Sequence, residues 1–559
     1  MQTSCLTDKC LPPCLQLKSD AVGEDKRRMF DPAVLLLLLL GAIELRSSEA
    51  EISSGLNFLV VFPENVAYFY PEGPQNQVQV TALYHDTHVT VRTSTQVQFR
   101  TMSAAETQHF FFYHEDELDK KEVSHRLVQV SSSREITVHA LSAKADSIQS
   151  ALVLPTDRLG TEYLIPPIPK IQGTTDPAAM VSPYVTERGP FRLIVVNADK
   201  QNKVILEGDV SRETELEPFY VTWFWLIADD AWRVLRAHHP AVVLFGHTCA
   251  MTNDCSCSML FATLPPAAQR KMTFLIPTAF SQNQTSLLLS QEEMSTVEDL
   301  APDAPLVEIN GSVILYLPGM LLPIIPEADF ASCYVVNTIP GLQDSAVIVV
   351  QKDFTDGVHV GGSTPENPSW EQLKGTDHVS TVVKLTSDTA IWHSSHKMAV
   401  YYLGEKGDAL FGNPAPAISQ TSDHRGCVLS PDILEVGQEA VGWQESVKYC
   451  RDKNLQLVSL STLSLQNYIY TKVQQVQDGS LTRAWIGLRR SSLTGQWYWL
   501  NKAPVTDTNW KGAEPNNAQG GQCGTMSLEP GQDFSWIEED CCKPIRPICY
   551  RGPVLFPVQ

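Results

Sequence analysis

The sequence of 559 residues is poor in positive charge and has no long apolar segment. It contains 42 Lys and Arg against 63 Asp and Glu, so its formal net charge is −21. A nucleic-acid-binding surface needs clusters of basic side chains, and this composition therefore argues against a nucleic-acid partner. No run reaches about 18 consecutive apolar residues, so no transmembrane helix is expected. With 43% hydrophobic residues, the composition is still that of a globular protein.

The motifs of several common enzyme classes are missing as well. The sequence contains no Gly-x-Ser-x-Gly, His-Glu-x-x-His or Gly-x-x-x-x-Gly-Lys segment. His114-Glu115 lacks the second His of a metalloprotease motif, and the acidic run Glu115-Asp116-Glu117 is predicted to be a solvated loop. We therefore expect no enzymatic activity.

The N-terminus is typical of a secretory leader. Lys26-Arg27-Arg28 precedes a twelve-residue apolar run from Pro32 to Ile43, and Ser48-Glu49-Ala50 fits a cleavage site. A buried core helix is the alternative, but such a helix is usually amphipathic, and this run is apolar all round. The sequence predicts a leader at 1–50, with Met1 or Met29 as the start, and a secreted, extracellular protein.

The cysteine count agrees with an oxidising compartment. Ten of the 13 cysteines follow the predicted cleavage point, and an even number in an exported chain indicates disulfides. Cys249, Cys255 and Cys257, with His247 nearby, are the residue types of a zinc site, but a local disulfide is the preferred interpretation. Two sequons, at Asn283 and Asn310, are candidate glycosylation sites.

The region from about 57 to 416 is predicted to be β-rich. Segments such as Val78–Ala82 and Val89–Arg92 alternate apolar and polar residues, as half-buried strands do. A strand–turn–strand phrase recurs three times, at 130–138, 234–242 and 391–400, and 285–299 stays unassigned. We predict all-β antiparallel sandwich modules at 51–180, 181–326 and 327–418.

Short motifs in this region resemble the N-terminal region of the IgG Fc-binding protein family. The most specific are Leu152-Val153-Leu154-Pro155 with Leu159-Gly160-Thr161-Glu162-Tyr163, and Phe245-Gly246-His247-Thr248-Cys249. Large mucin-like members of that family also carry von Willebrand D domains with a Gly-Asp-Pro-His cleavage site. Neither that tetrapeptide nor a dense cysteine pattern is present, so mucin-type polymerisation is not implied.

The last 130 residues change pattern. Two helical faces are predicted, one with Ala440, Val441, Trp443, Val447 and Cys450 and one with Leu465, Ile469, Val473 and Val476, and strands follow at 485–488 and 497–500. The spacing of Cys450, Cys523, Cys541 and Cys549, with Trp443 and Trp536, resembles the C-type lectin domain over about 427–551. The expected fold is an α+β C-type lectin-like domain at 424–553.

That resemblance implies two disulfides, Cys450–Cys549 and Cys523–Cys541. Cys542 departs from the family pattern and is a candidate partner for Cys427, which stands where longer members carry an additional N-terminal bridge. The sequence leaves open how six cysteines pair: Cys249, Cys255, Cys257, Cys333, Cys427 and Cys542.

Glu514-Pro515-Asn516 resembles the tripeptide with which C-type lectins bind calcium and mannose-type sugars. Calcium takes six to eight oxygen ligands, and Glu and Asn side chains can ligate it while hydrogen-bonding sugar hydroxyls. A cis bond before Pro515 would aim both groups at the ion. Glu538 is a longer substitute for a family ligand, whereas Ile537 replaces an amide, and Gly521-Gln522 stands where an acidic ligand is expected. Weak calcium binding and a metal-free loop both remain open.

These observations predict a secreted, non-enzymatic recognition or adhesion protein. By the resemblance, it would act in a mucosal or innate-immune defence secretion and bind glycans or glycoproteins through its lectin-like head. The alternative is a structural scaffold of mucus or the extracellular matrix whose head binds protein instead of sugar.

Overall fold

The computed structural model describes residues 53–558, apart from gaps at 66–72, 119–122, 145–146, 170–190, 209, 227–232, 254–255, 269, 282–284, 293–294, 301–303, 408, 477–480, 517–520 and 530–532. Most of these residues form antiparallel strands, and two helices lie near the C-terminus. The predicted leader at 1–50 and its cleavage point lie outside the described residues. None of the helices that the structure describes is long and apolar enough to cross a membrane.

The first β unit is a seven-stranded sheet with the order β4-β3-β7-β2-β5, to which β1 and β8 add by pairing with β7. Its alternating sequence buries Val78, Val80, Val89 and Val91 in one core, which confirms the two strands predicted there. The strands of this part of the chain are β1 Gly55–Val60, β2 Gln75–Ala82, β3 Thr87–Arg92, β4 Val97–Met102, β5 Thr107–Phe112, β6 Val123–Ser124, β7 Val128–Lys144 and β8 Ser147–Val153.

Two local predictions in this unit are wrong. The segment 130–138, predicted as two strands around a polar turn, is part of the continuous strand β7. Its polar residues form a bulge instead. Asn57 of β1 pairs with Ser131 and Gly55 of β1 pairs with Ile136, so β7 has more residues than β1 between these two pairs. Glu117, predicted in a solvated loop, is only 6% exposed. Asn76 Nδ2 donates a hydrogen bond of 2.9 Å to its Oε1, and this bond offsets part of the cost of burying the carboxyl group.

The second β unit packs two sheets face to face, with the orders β16-β15-β10-β13-β6 and β12-β11-β14-β9. Phe191, Leu193, Val204, Leu235 and Phe245 belong to the core between them. Because β9 pairs with β14, this sheet extends across the boundary predicted at 180/181, and the domain boundaries stay a prediction. The strands are β9 Glu162–Leu164, β10 Phe191–Asn197, β11 Asn202–Glu207, β12 Arg212–Leu216, β13 Val221–Leu226, β14 Val234–Ala237, β15 Ala241–Asn253 and β16 Ser256–Thr263.

A smaller third unit contains a sheet with the order β19-β18-β21-β22 and the pair β17-β20. The segment left unassigned in the sequence supplies two of its strands. The apolar run Leu287–Leu289 is buried on both faces, so it shows no clear period, and this is why periodicity did not identify it. The strands are β17 Met272–Leu275, β18 Ser286–Gln291, β19 Thr296–Asp299, β20 Leu306–Ile309, β21 Gly311–Leu317 and β22 Met320–Pro323.

The fourth unit again has two sheets, with the orders β25-β28-β23-β31 and β26-β27-β24-β29-β30. A buried tyrosine recurs at matching places in the second and fourth units. Tyr163 Oη donates to the Ala241 carbonyl, and Tyr334 Oη donates to the Met398 carbonyl. The strands are β23 Cys333–Val336, β24 Gln343–Gln351, β25 Val358–Val360, β26 Glu371–Gln372, β27 His378–Leu385, β28 Thr389–His393, β29 Ala399–Lys406, β30 Ala409–Pro414 and β31 Ala417–Ser419.

The C-terminal domain combines two helices, α1 Trp443–Asp452 and α2 Leu463–Val476, with small sheets. Helix α1 is shorter than predicted, because Val441 forms a β-bridge with Ile545 instead of a helical turn. Trp485, Trp499 and Trp536 fill the interior. The strands are β32 Val428–Ser430, β33 Ile433–Val436, β34 Gln456–Leu457, β35 Arg483–Arg490, β36 Trp497–Trp499, β37 Cys523–Ser527, β38 Trp536–Glu539, β39 Ile548–Arg551 and β40 Val554–Leu555.

Three disulfides join described cysteines. Cys450–Cys549 and Cys523–Cys541 are the two bridges that the family resemblance implies. The third, Cys333–Cys427, corrects the suggested pairing of Cys427 with Cys542. Cys333 and Cys427 are both buried in one apolar cluster with Cα atoms 5.6 Å apart, whereas Cys542 is exposed.

The cysteine cluster near His247 is only partly described. Cys249 is buried and disulfide-bonded, so its sulfur is not a zinc ligand. Cys255 and the side chain of Cys257 lie outside the described residues. His247 is also buried, and its Nδ1 accepts the backbone N–H of Cys249 at 2.9 Å within strand β15, where the register with β16 shifts.

Candidate functional site

The candidate site lies on the loop before β37 and on the neighbouring strand β38. The loop is fixed to β38 by backbone hydrogen bonds in both directions. The Trp536 N–H donates to the Asn509 carbonyl at 2.6 Å, and the Lys511 N–H donates to the Trp536 carbonyl at 2.9 Å. The ring of Trp510 packs between Trp497 and Trp536, with centroids 4.8 and 5.8 Å away. Aromatic packing and main-chain bonds therefore set the position of the loop.

Glu514, Asn516 and Glu538, the three predicted calcium or sugar ligands, converge at this place. The Asn516 backbone N–H donates to Glu538 Oε1 at 2.9 Å, and Asn516 Nδ2 donates to Glu514 Oε1 at 3.2 Å. The peptide bond between Glu514 and Pro515 is cis. Asn516 is exposed and Glu514 is half-buried, so this face of the loop is open to a ligand.

One oxygen of the site is unusual in its surroundings. Glu514 Oε2 is buried and has no hydrogen-bond partner among the residues that the structure describes. A buried carboxylate oxygen normally has a hydrogen-bond donor or a cation beside it. Because Glu514, Asn516 and Glu538 carry two carboxylates and an amide, their oxygen chemistry fits a hard cation such as calcium. These side chains alone supply fewer oxygens than the six to eight that calcium prefers.

Two described neighbours on β38, at positions 537 and 539, do not add ligands. Ile537 is 8% exposed and presents an aliphatic side chain where the family has an amide. Glu539, the next residue along β38, is held by two cations, Arg483 at 2.9 Å and Lys543 at 2.7 Å from its Oε2. Within the described ranges, no group of three or more His, Cys, Asp or Glu side chains is arranged to hold a metal ion.

Gly521, where the sequence predicts only a missing acidic ligand, contributes to the site through its lack of a side chain. A Cβ at this position would lie 2.9 Å from Cγ and 3.0 Å from Cβ of Glu538. The absence of a side chain therefore lets the backbone before β37 pack directly against Glu538. Nothing in a single sequence marks this role, because it depends on the approach of two segments that are 17 residues apart in sequence (538 − 521 = 17).

The remaining predicted site residues lie elsewhere or are not described. Asn310 is exposed in the turn between β20 and β21. Asn283 lies outside the described residues. Glycosylation of both asparagines stays a prediction.

Comparison with known proteins gives a result for each part of the chain. The family model described as the lectin C-type domain matches residues 439–551. Human IgGFc-binding protein is 26% identical in an alignment 300 residues long, which covers 46% of this chain and 5% of that protein. Human C-type mannose receptor 2 is 26% identical over 116 residues, which is 21% of this chain and 7% of the receptor. The chain thus spans only a small part of the length of both relatives.

Among solved structures, human lithostathine aligns with 22% of this chain and 83% of its own, at 19% identity and a TM-score of 0.20. The match of residues 439–551 agrees with the helices, disulfides and aromatic core described above, and the mostly β architecture confirms the predicted fold class. The chain therefore carries a C-type lectin domain at its C-terminus, joined to an N-terminal region similar to IgGFc-binding protein.

Proposed function

We propose that this protein is a secreted, non-enzymatic recognition protein that binds glycans or glycoproteins through its C-type lectin domain. The observation that carries the proposal is the convergence of Glu514, Asn516 and Glu538, with Glu514 Oε2 buried and lacking a hydrogen-bond partner among the described residues. Carboxylates accept hydrogen bonds and the amide both donates and accepts, which suits the vicinal hydroxyls of a sugar.

Calcium would act at the same three side chains. When bound, the ion supplies positive charge that holds the carboxylates together and contacts sugar oxygens directly. Among the described residues next to the site, Ile537 contributes no oxygen and Glu539 is held by two cations, so water would supply part of the coordination shell. We therefore expect weak affinity, on the order of 10⁻⁴ to 10⁻³ M, as in many extracellular sites.

The hydrogen bonds that hold the loop favour a second candidate function. If the loop holds its shape without metal, the domain would recognise a protein surface, and the molecule would be an extracellular or mucus scaffold. Hydrogen bonds between the described part of the loop, at Asn509, Lys511 and Asn516, and strand β38 hold its backbone, which supports this alternative.

The test compares mannan binding by surface plasmon resonance, with calcium, for the full chain and the variant Glu514→Gln/Asn516→Asp. This variant exchanges donors and acceptors at both positions without changing the net charge. Loss of a charge-assisted hydrogen bond costs about 1.5–3 kcal/mol, so affinity should fall roughly tenfold to a hundredfold.

The matched control is Glu439→Gln/Asn467→Asp, which makes the same chemical changes at two exposed positions of the same domain. It should retain wild-type binding. A wild-type protein that does not bind mannan, or equal binding by both variants, would contradict sugar recognition at this site. Binding that persists in chelator would favour the metal-free form of the loop.

A further inference from the structure

Four strands, one from each β unit, surround a cavity in the N-terminal region. Strand β8 of the first unit contacts β16 of the second and β30 of the fourth, and β22 of the third contacts the same two strands. The ring that they form borders a partly open cavity of about 170 Å³. Its lining therefore comes from all four units, and an occupant would touch each of them.

The wall of this cavity is largely apolar. Leu152, Leu154, Pro265 and Pro266 line it and are only half-buried, so part of their apolar surface remains uncovered. Met272 and Phe274 add further apolar wall. Covering apolar surface stabilises a complex by about 25 cal/mol per Å², which favours an apolar occupant over water. A cavity of about 150 Å³ lined by apolar side chains is known to take up benzene, so this volume suits a molecule slightly larger than benzene.

A single charged side chain sets the polarity of the occupant. Among the described residues that line the cavity, Asp329 alone is charged. Arg270 Nη2 lies 3.8 Å from Asp329 Oδ1, and no hydrogen bond joins this carboxylate to any described residue. Burial raises the pKa of Asp329, and Arg270 and Lys397 partly oppose that effect. The group therefore gains from a hydrogen-bond donor, and it would repel a carboxylate ligand such as a fatty acid.

We propose that this cavity binds a small uncharged aromatic molecule with one N–H or O–H group, of the size of indole, which donates to the Asp329 carboxylate. The ring would lie against the apolar strands, and the donor would add a hydrogen bond to a carboxylate whose ion-pair partner, Arg270, lies 3.8 Å away. Such a site is separate from the lectin domain, since none of the described residues that line it lies beyond Ala417.

The test is calorimetric titration of the full chain with indole and with indene, which has the same shape without the N–H. For nine heavy atoms at typical ligand efficiencies, we expect saturable 1:1 binding of indole with a dissociation constant of roughly 0.1–1 mM. Indene should bind at least about threefold more weakly. The variant Asp329→Asn should weaken indole binding by a similar factor and leave indene unchanged.

A second variant tests the place of binding. Ala151→Phe fills the cavity from β8 and should reduce indole affinity at least about tenfold, whereas Ala440→Phe, at an exposed position of the C-terminal domain, should not. Circular dichroism checks folding, and Ala268→Phe replaces Ala151→Phe if that variant does not fold. The absence of saturable indole binding, or full binding by the filled variant, would overturn the site. Equal losses of indole and indene in Asp329→Asn would overturn the role of Asp329.

Discussion

At the scale of single residues, the candidate sugar site depends on how closely Gly521 approaches Glu538. The Glu538 side chain begins at a strand position, so its Cβ cannot move without moving β38. A methyl group on residue 521 would lie 2.9–3.1 Å from three carbons of that side chain. Contacts this short force the carboxylate away from the Asn516 N–H, which it now accepts at 2.9 Å.

We predict that Gly521→Ala weakens mannan binding roughly threefold to thirtyfold and lowers stability by about 1 kcal/mol. Surface plasmon resonance and thermal unfolding measure the two effects. The control is Gly362→Ala in the fourth β unit, where an added Cβ meets no atom within 4 Å. Unchanged mannan binding in Gly521→Ala would show that the position of Glu538 does not matter for the ligand.

The amino-acid types predict which side chains form this site, but they do not predict how the surrounding segments pack against those side chains. The motif Glu514-Pro515-Asn516 and the substitution at Ile537 are visible in the sequence because they are chemical properties of single positions. The engagement of Glu539 by Arg483 and Lys543 is not visible, since these cations come from two other segments. The role of Gly521 is hidden for the same reason.

At the scale of secondary-structure elements, the turn that follows β5 contains a buried carboxylic acid. The short 3₁₀ helix His114–Asp116 leads directly into Glu117, which faces Asn76 of β2. Burial raises the pKa of Glu117 from 4.5 to about 7, and the hydrogen bond from Asn76 only partly opposes this. The folded protein therefore binds this proton more tightly than the unfolded chain does.

The sign of the pH dependence follows from that difference. The stabilisation that comes from the protonated Glu117 is fully present below about pH 4.5 and is lost as the pH rises through about 7. The free energy of unfolding falls by about 3 kcal/mol at most over this range. We predict that Glu117→Gln flattens the stability curve between pH 5 and 8 and stabilises the protein at pH 8. Thermal unfolding of both proteins across this range measures the effect. A wild-type slope that the variant leaves unchanged would assign the pH dependence to other groups.

The alternation of apolar and polar residues predicts the regular strands well, and it fails where tertiary contacts determine the backbone conformation or the burial of a side chain. Strands β2 and β3 follow the two-residue period, because one face of each is buried. The polar stretch within β7 has the composition of a turn, but pairing with β1 keeps it extended through a bulge. Glu117 carries no local signal at all, since its partner lies 41 residues earlier in the chain.

At the scale of the whole molecule, the lectin domain is tied covalently to the β region. Cys333 in β23 bridges to Cys427, just before β32. Around the bridge, Leu83 of the first unit, Trp392 of the fourth and Phe556 near the C-terminus pack into one cluster. Cysteine counting predicts that a bridge exists, but it cannot choose this pair, because that choice depends on the packing of distant segments.

We predict that Cys333→Ala/Cys427→Ala lowers the midpoint of guanidinium unfolding. The bridge closes a loop of 94 residues, and its loss costs about 4–5 kcal/mol in the loop-entropy estimate. Tryptophan fluorescence follows the transition, and a non-reducing peptide map checks that the other bridges remain. An unchanged midpoint would show that the apolar cluster alone holds the two regions together.

The central claim is that the C-terminal domain recognises glycans through Glu514, Asn516 and Glu538. The measurement that tests it most directly is a glycan array probed with the full chain, with calcium and then with chelator, beside the Glu514→Gln/Asn516→Asp variant. We expect binding to mannose-type glycans that is lost in the variant and reduced by chelator. The absence of binding to any glycan in the presence of calcium, or identical profiles of the variant and the wild type, would contradict it.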